Sequence, residues 1–264
     1  MKHKNTFIKC FVSDLRYMII SYRFLISCVS YVGISIISII DEMKAFPDSS
    51  AFYLYTVYNF YPFSLLFLLF AVLPGGGSFC VDWENRYYRY RIIRYGKKKY
   101  AVSKALSCSI SAAILVFISQ LSFIFFLCIG RNVLAKGDEQ MMLGRIYYPL
   151  MNKYDIWIYF LIRILMVSAC AALFSVLALW LSTKIINIFV VLASPIIIYY
   201  FFDNLSVALK FPFFLSISKI VRGAIEIQAG PGFTLLYSVC FFLILTGGLI
   251  YAFYRGCRKR CENG

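Results

Sequence analysis

Histidine is almost missing from this chain: among 264 residues only His3 carries an imidazole. Metalloproteases need histidine and acid ligands. Ser-His or Cys-His catalysis needs an imidazole beside its nucleophile. Both classes are argued against. Acids are scarce too, with 12 Asp+Glu against 27 Lys+Arg and a net charge of +15. The long apolar runs hold no Asp, Glu, Lys or His, and their one charge is Arg163. Carriers driven by protons or sodium use buried carboxylates or histidines to hold the coupling ion. A secondary transporter is therefore disfavoured. The nine cysteines include no CxxC pair and, with one histidine, no ligand set for zinc. Most lie in or beside apolar runs, where a thiol acts as a small hydrophobe. Cys257 and Cys261 stand close together in a basic tail, where free thiols are expected on a reducing side. Pro74-Gly75-Gly76-Gly77 lacks the GK[ST] ending of a phosphate loop, so it reads as a turn or hinge. No cleavage site follows the first apolar run near Phe24, so no signal peptide is expected.

What is abundant is apolar surface. The chain is 61% hydrophobic with a mean hydropathy of +0.77, well above the roughly 45–50% apolar content of soluble domains. Six runs are long enough to cross a bilayer: 24–40, 57–73, 105–129, 156–181, 185–202 and 234–254. The second carries Asn59 and Pro62, and the fifth carries Pro195, where a kink is expected. Before them, residues 1–23 suit a helix lying in the interface plane. Phe7, Ile8, Phe11, Val12, Leu15, Met18 and Ile19 form an apolar face, and Lys9, Ser13 and Arg16 lie off it. The segments placed inside hold 18 Lys+Arg and the outer loops hold 8. That bias predicts both termini in the cytoplasm. The cations cluster beside apolar runs, which favours anionic lipid as their partner and argues against nucleic acid. The expected fold is an all-α membrane protein of six transmembrane helices, a single transmembrane domain over 1–264.

One stretch stands out. Residues 78–104 hold eight Lys+Arg interleaved with aromatics. Phe79, Trp83, Tyr87 and Tyr90 recur at helical spacing, Asp82 and Arg86 stand four apart, and Gly96 follows Arg91 and Arg94 as a helix stop. The pattern predicts one short amphipathic helix at the cytoplasmic mouth, with 78–96 as its bounds. Residues 203–233 show another partly apolar pattern. Phe213, Phe214, Ile217, Ile220, Val221, Ala224 and Ile225 share a face, with Lys219, Arg222 and Glu226 off it. A short helix dipping into the outer leaflet is expected there. Within the spans, Arg163 is expected either to snorkel to the outer interface or to touch a lipid phosphate or a carboxylate in a pathway. Gln120 and Asn59 are read as interhelical hydrogen-bond partners or pathway contacts.

The layout resembles the ABC-2 type permeases, the membrane subunits of type V ABC transporters. An amphipathic N-terminal helix, six spans and a helix between spans two and three carry the likeness. So does the local string of an acid and an Arg-rich helix before Arg94-Tyr95-Gly96-Lys97-Lys98-Lys99-Tyr100 and Ser103-Lys104. The partly apolar segment between spans five and six is similar to that family's re-entrant outer helices. The likeness covers nearly the whole chain in layout. The Arg content of the basic stretch and the long loop 130–155 depart from it. It implies that residues 78–95 form a coupling helix seated on a separately encoded ATPase subunit. Asp82, Trp83, Glu84, Arg86, Arg89 and Arg94 would be its docking set. ATP and Mg would bind in that partner, with no cofactor and no metal in this chain. A second permease copy or a paralogue would complete the assembly, in the plasma membrane of a bacterium.

The uncharged, aromatic-rich spans suit export of a hydrophobic or amphipathic cargo such as a peptide, an antibiotic or a lipid. A sodium or metal exporter of the same family would want polar linings. A non-transport anchor or sensor is the alternative from another class, and a membrane enzyme acting on lipid is the weakest reading.

Overall fold

The computed structural model describes residues 2–59, 65–135, 156–209, 216–222 and 230–263. Every regular element among them is a helix: α1 (Lys2–Ile19), α2 (Tyr22–Ala45), α3 (Ala51–Tyr58), α4 (Phe67–Val72), α5 (Ser78–Glu84), α6 (Tyr87–Tyr95), α7 (Lys97–Cys128), α8 (Ile156–Ser182), α9 (Ile188–Ala208), α10 (Ile217–Arg222) and α11 (Pro231–Asn263). Five of them, α2, α7, α8, α9 and α11, are long and apolar enough to cross a bilayer. The chain is a multi-pass membrane protein. The run 57–73, expected as one continuous crossing, is described as the end of α3 and the whole of α4; residues 60–64, with Pro62, lie outside the described residues. Most of the loop 130–155 and the Phe213, Phe214, Ala224, Ile225 and Glu226 positions also lie outside them.

Local chemistry accounts for the helix starts. Ser21 accepts from the Phe24 amide at 3.2 Å and starts α2. Ser50 accepts from the Tyr53 amide at 3.0 Å and starts α3. Asn187 accepts from the Phe189 amide at 3.0 Å, which delays α9 to Ile188, three residues past the expected start. Inside α9, Pro195 has no N–H for the Val191 carbonyl, and the Ser194 hydroxyl donates to that carbonyl at 2.8 Å.

The bundle is built on α7 against α8. Helix α1 lies along α7, α11 along α8, α2 along α7, and α4 fits between α8 and α9. The α1–α7 seam is lined by Ser103, Ser107 and Ser111, all buried, at successive steps of four. Small side chains allow this close approach. Ser107 donates to the Phe11 carbonyl at 3.2 Å. The inward line of α1 is Cys10, Asp14 and Met18, while Ile8 and Val12 face out beside Lys9 and Arg16. The apolar face expected for residues 1–23 is thus split between protein and surroundings. Pro74-Gly75-Gly76-Gly77 is buried and tightly packed. A Cβ on Gly76 would stand 2.3 Å from Val72 and 3.2 Å from Ala178. The run is therefore a fixed turn that hands α4 to α5. Ile220 and Val221 of α10 are buried in the same core as Tyr199 and Phe242, and Lys219 is exposed, as the face pattern predicts.

Candidate functional sites

The basic stretch forms two helices where one is expected. The chain breaks at Asn85-Arg86, and Arg86 takes the left-handed conformation with φ of 55°. The break shifts the helical phase, so the stripe Phe79-Trp83-Tyr87-Tyr90 does not persist. The buried line runs Phe79, Trp83, Tyr88 and Ile92, with the Trp83 and Tyr88 rings stacked at 4.4 Å. Tyr87 and Tyr90 instead point outward, with Tyr90 73% and Ile93 84% exposed. Glu84, Arg86, Arg89 and Arg94 are exposed around them. The outer face of α6 therefore carries two tyrosines, an isoleucine and arginines with nothing packed over them among the described residues.

Asp82 does not belong to that face. Its carboxylate meets the Lys104 ammonium, and Tyr100 donates to it at 2.6 Å. Lys104 also donates to the Ser78 carbonyl at 3.1 Å. The expected Asp82–Arg86 pair is thereby replaced by a brace between α5 and α7. A second brace ties α6 to α1 and α7. Arg91 meets Asp14, and Ser103 donates to the other Asp14 oxygen at 2.8 Å. The Arg91 guanidinium also lies 5.5 Å from the Tyr100 ring, so the two braces share a residue. Burial pushes the Arg91 guanidinium down, and the hydrogen bond and charge of Asp14 more than offset it. Burial holds the Cys10 thiol above its ordinary value, so it stays protonated and inert. The third contact comes from the chain's basic tail, where Arg260 donates to the Thr183 carbonyl and lies 5.0 Å over the Trp83 ring. Gly256 permits that approach, since a Cβ there would sit 2.5 Å from the Thr183 hydroxyl. Asp14, Arg91, Tyr100, Lys104 and Arg260 were not legible as a set, because they come from four helices, α1, α6, α7 and α11, and only Tyr100 and Lys104 share one.

Arg163, Gln120 and Asn59 do come together. They line one chamber of about 30 Å³ with Tyr58, Tyr199 and Val221. Arg163 is 2% exposed, so it does not snorkel. Its guanidinium donates to the Val221 carbonyl of α10. Gln120 donates to the Tyr31 hydroxyl, which lies 3.3 Å from that of Tyr58, and Tyr58 lies 3.0 Å from the Ser35 hydroxyl. Asn59 donates to the Tyr55 carbonyl at 2.6 Å. Ser35, Tyr31, Tyr58 and Gln120 of α2, α3 and α7 thus form one buried network, and its Tyr58 and Gln120 line the chamber beside Arg163.

A larger apolar cleft of about 350 Å³ opens between α8, α9 and α11. Phe174, Tyr199, Phe202, Phe241 and Leu245 line it, with Asp203 and Ser206 at one end. No group of histidines, cysteines and acids able to hold a metal occurs among the described residues.

These features define a helical multi-pass membrane protein with a braced basic end and a buried arginine. Compared with known proteins, the chain matches no family model, no curated protein and no solved structure.

Proposed function

We propose that this chain is the membrane-spanning subunit of an ATP-driven exporter of the ABC-2 type, worked by a separately encoded ATPase. The sixth crossing comes from α3, α4 and the residues between them, with both termini in the cytoplasm. Residues 78–96 are the coupling element, residues 1–23 lie at the interface against anionic lipid, and residues 203–233 form the outer re-entrant segment. ATP and Mg bind in the ATPase, and a second permease copy or a paralogue completes the pathway. The cargo is hydrophobic or amphipathic, and the apolar cleft with Asp203 at its end fits such a molecule.

The observation that carries this reading is the outer face of α6. Exposed Tyr87, Tyr90 and Ile93 among arginines make a good interface anchor. A surface helix loosely attached could not transmit force. This one is fixed to α1 through Arg91–Asp14, and the preceding α5 is fixed to α7 through Asp82–Lys104. Of the docking set predicted from sequence, Glu84, Arg86, Arg89 and Arg94 fit a partner surface, Trp83 supports it from below, and Asp82 positions it.

The test is a search for an ATPase encoded beside this chain and co-expression with it, followed by co-purification and ATPase assay in lipid vesicles. The complex should form, and Tyr90→Ala with Arg94→Glu should abolish stimulation while the protein stays inserted and folded. An anchor or sensor would leave ATPase activity unaltered by those substitutions, and that result would overturn the transport reading.

A further inference from the structure

We propose that the chamber at Arg163 binds one compact monovalent anion, a halide or a carboxylate. Arg163 is the one charge inside the apolar runs, and it is 2% exposed. None of the ion pairs among the described residues includes it. Among the described residues its Nε has no acceptor and the Gln120 Oε1 has no donor. A peptide carbonyl, which is all the guanidinium holds among the described residues, offsets only part of the loss of water around a full charge. A buried cation so placed is stabilised by a counter-charge, and the chamber beside it brings Asn59, Gln120 and Tyr58 together among apolar side chains.

Size sets the class of ligand. A water needs roughly 10–15 Å³ on this measure, so about 30 Å³ admits one halide or one formate-sized carboxylate. The lining supplies further donors: the Asn59 amide has a second N–H, and the Gln120 amide reverses to present its NH2 while Tyr31 donates to its oxygen. Arg163 gives the charge and a fork of N–H groups suited to a carboxylate edge. This site stands on geometry alone and does not rest on the transport reading.

The experiment uses the full chain, purified in detergent. Its thermal midpoint is followed in sodium chloride, sodium formate and sodium gluconate at constant ionic strength. Gluconate is too large for the chamber and serves as the reference. The midpoint should rise with chloride or formate in a saturable way. Chloride alone would identify a halide site, formate alone a carboxylate site, and either supports the proposal. Arg163→Met should lose the response, and Arg163→Lys should retain part of it. Gln120→Leu, which leaves the charge in place, should move the half-saturating concentration up by about tenfold. Should Arg163→Met fail to fold, the Gln120→Leu shift and chlorine NMR line-broadening on the unsubstituted protein, reversed by formate, decide the matter. Equal stabilisation by all three salts, or an unchanged dose response in both variants, would overturn it.

Discussion

Arg91 and Lys104 are buried beside carboxylates, whereas Arg163 is buried beside a peptide carbonyl. All three lie among apolar helices and all three are held by a second helix. At the basic end each charge has its opposite within the chain, with hydroxyls of Ser103 and Tyr100 completing the carboxylates' bonding. Around Arg163 the described residues provide hydroxyls and amides but no acid. The first arrangement fixes helices to one another. The second leaves a charge whose partner must come from elsewhere. A buried ion pair is weak evidence for stability, but breaking one by removing a single member is costly. That asymmetry separates a brace from a site by experiment.

The largest effect should come from Asp82→Leu, which strands the Lys104 ammonium. A loss of about 3–5 kcal/mol is expected, read as a fall in the unfolding midpoint in detergent. Asp82→Leu with Lys104→Met should recover most of it, since the stranded charge is gone. Equal losses in the single and double variants would show that the pair is no brace. A smaller loss, about 1.5–3 kcal/mol, is expected for Asp14→Asn. That substitution keeps the shape and the bond from Ser103 while removing the charge facing Arg91. Arg163→Met should behave in the opposite sense when chloride and small carboxylates are left out. No carboxylate is stranded, and a desolvated charge is removed. Stability should stay level or rise by about 1–2 kcal/mol. A loss as large as that of Asp82→Leu would place Arg163 among the braces and erase the contrast.

Much of this architecture was legible in the sequence, for a plain reason. Apolar runs of span length are read directly: the runs 156–181 and 234–254 fall within α8 and α11, and 105–129 falls within α7 but for its last residue. The chamber was partly legible as well. Arg163, Gln120 and Asn59 are rare polar residues in apolar runs, and polar groups in such surroundings seek each other. Their meeting at one point depends on how α3, α7 and α8 cross, which no spacing along the chain encodes. The break at Asn85-Arg86 escaped because neither residue is a strong helix breaker. Asn tolerates turns, but Arg in the left-handed region is unusual. Missing that break put Tyr87 and Tyr90 on the stripe with Phe79 and Trp83, where Tyr88 and Ile92 lie instead. Asp14 escaped for a different reason. An isolated acid on an amphipathic helix reads as a solvated charge until its partner on α6 is known.

The smallest effect concerns a cation of a third kind, exposed Arg86 at the break itself. Its φ of 55° is costly for a residue with a Cβ, and a glycine accepts it freely. Arg86→Gly should therefore stabilise the chain, by about 0.5–1 kcal/mol, less whatever glycine adds to the entropy of the unfolded chain. The same change removes one charge from the outer face of α6. If that face docks an ATPase, the variant should be slightly more stable alone yet bind its partner less tightly. A residue kept strained where a commoner one would fit better is a mark of selection for contact. Should Arg86→Gly improve stability and leave ATPase binding untouched, the strain at the break would have another cause, and Arg86 would drop out of the docking set.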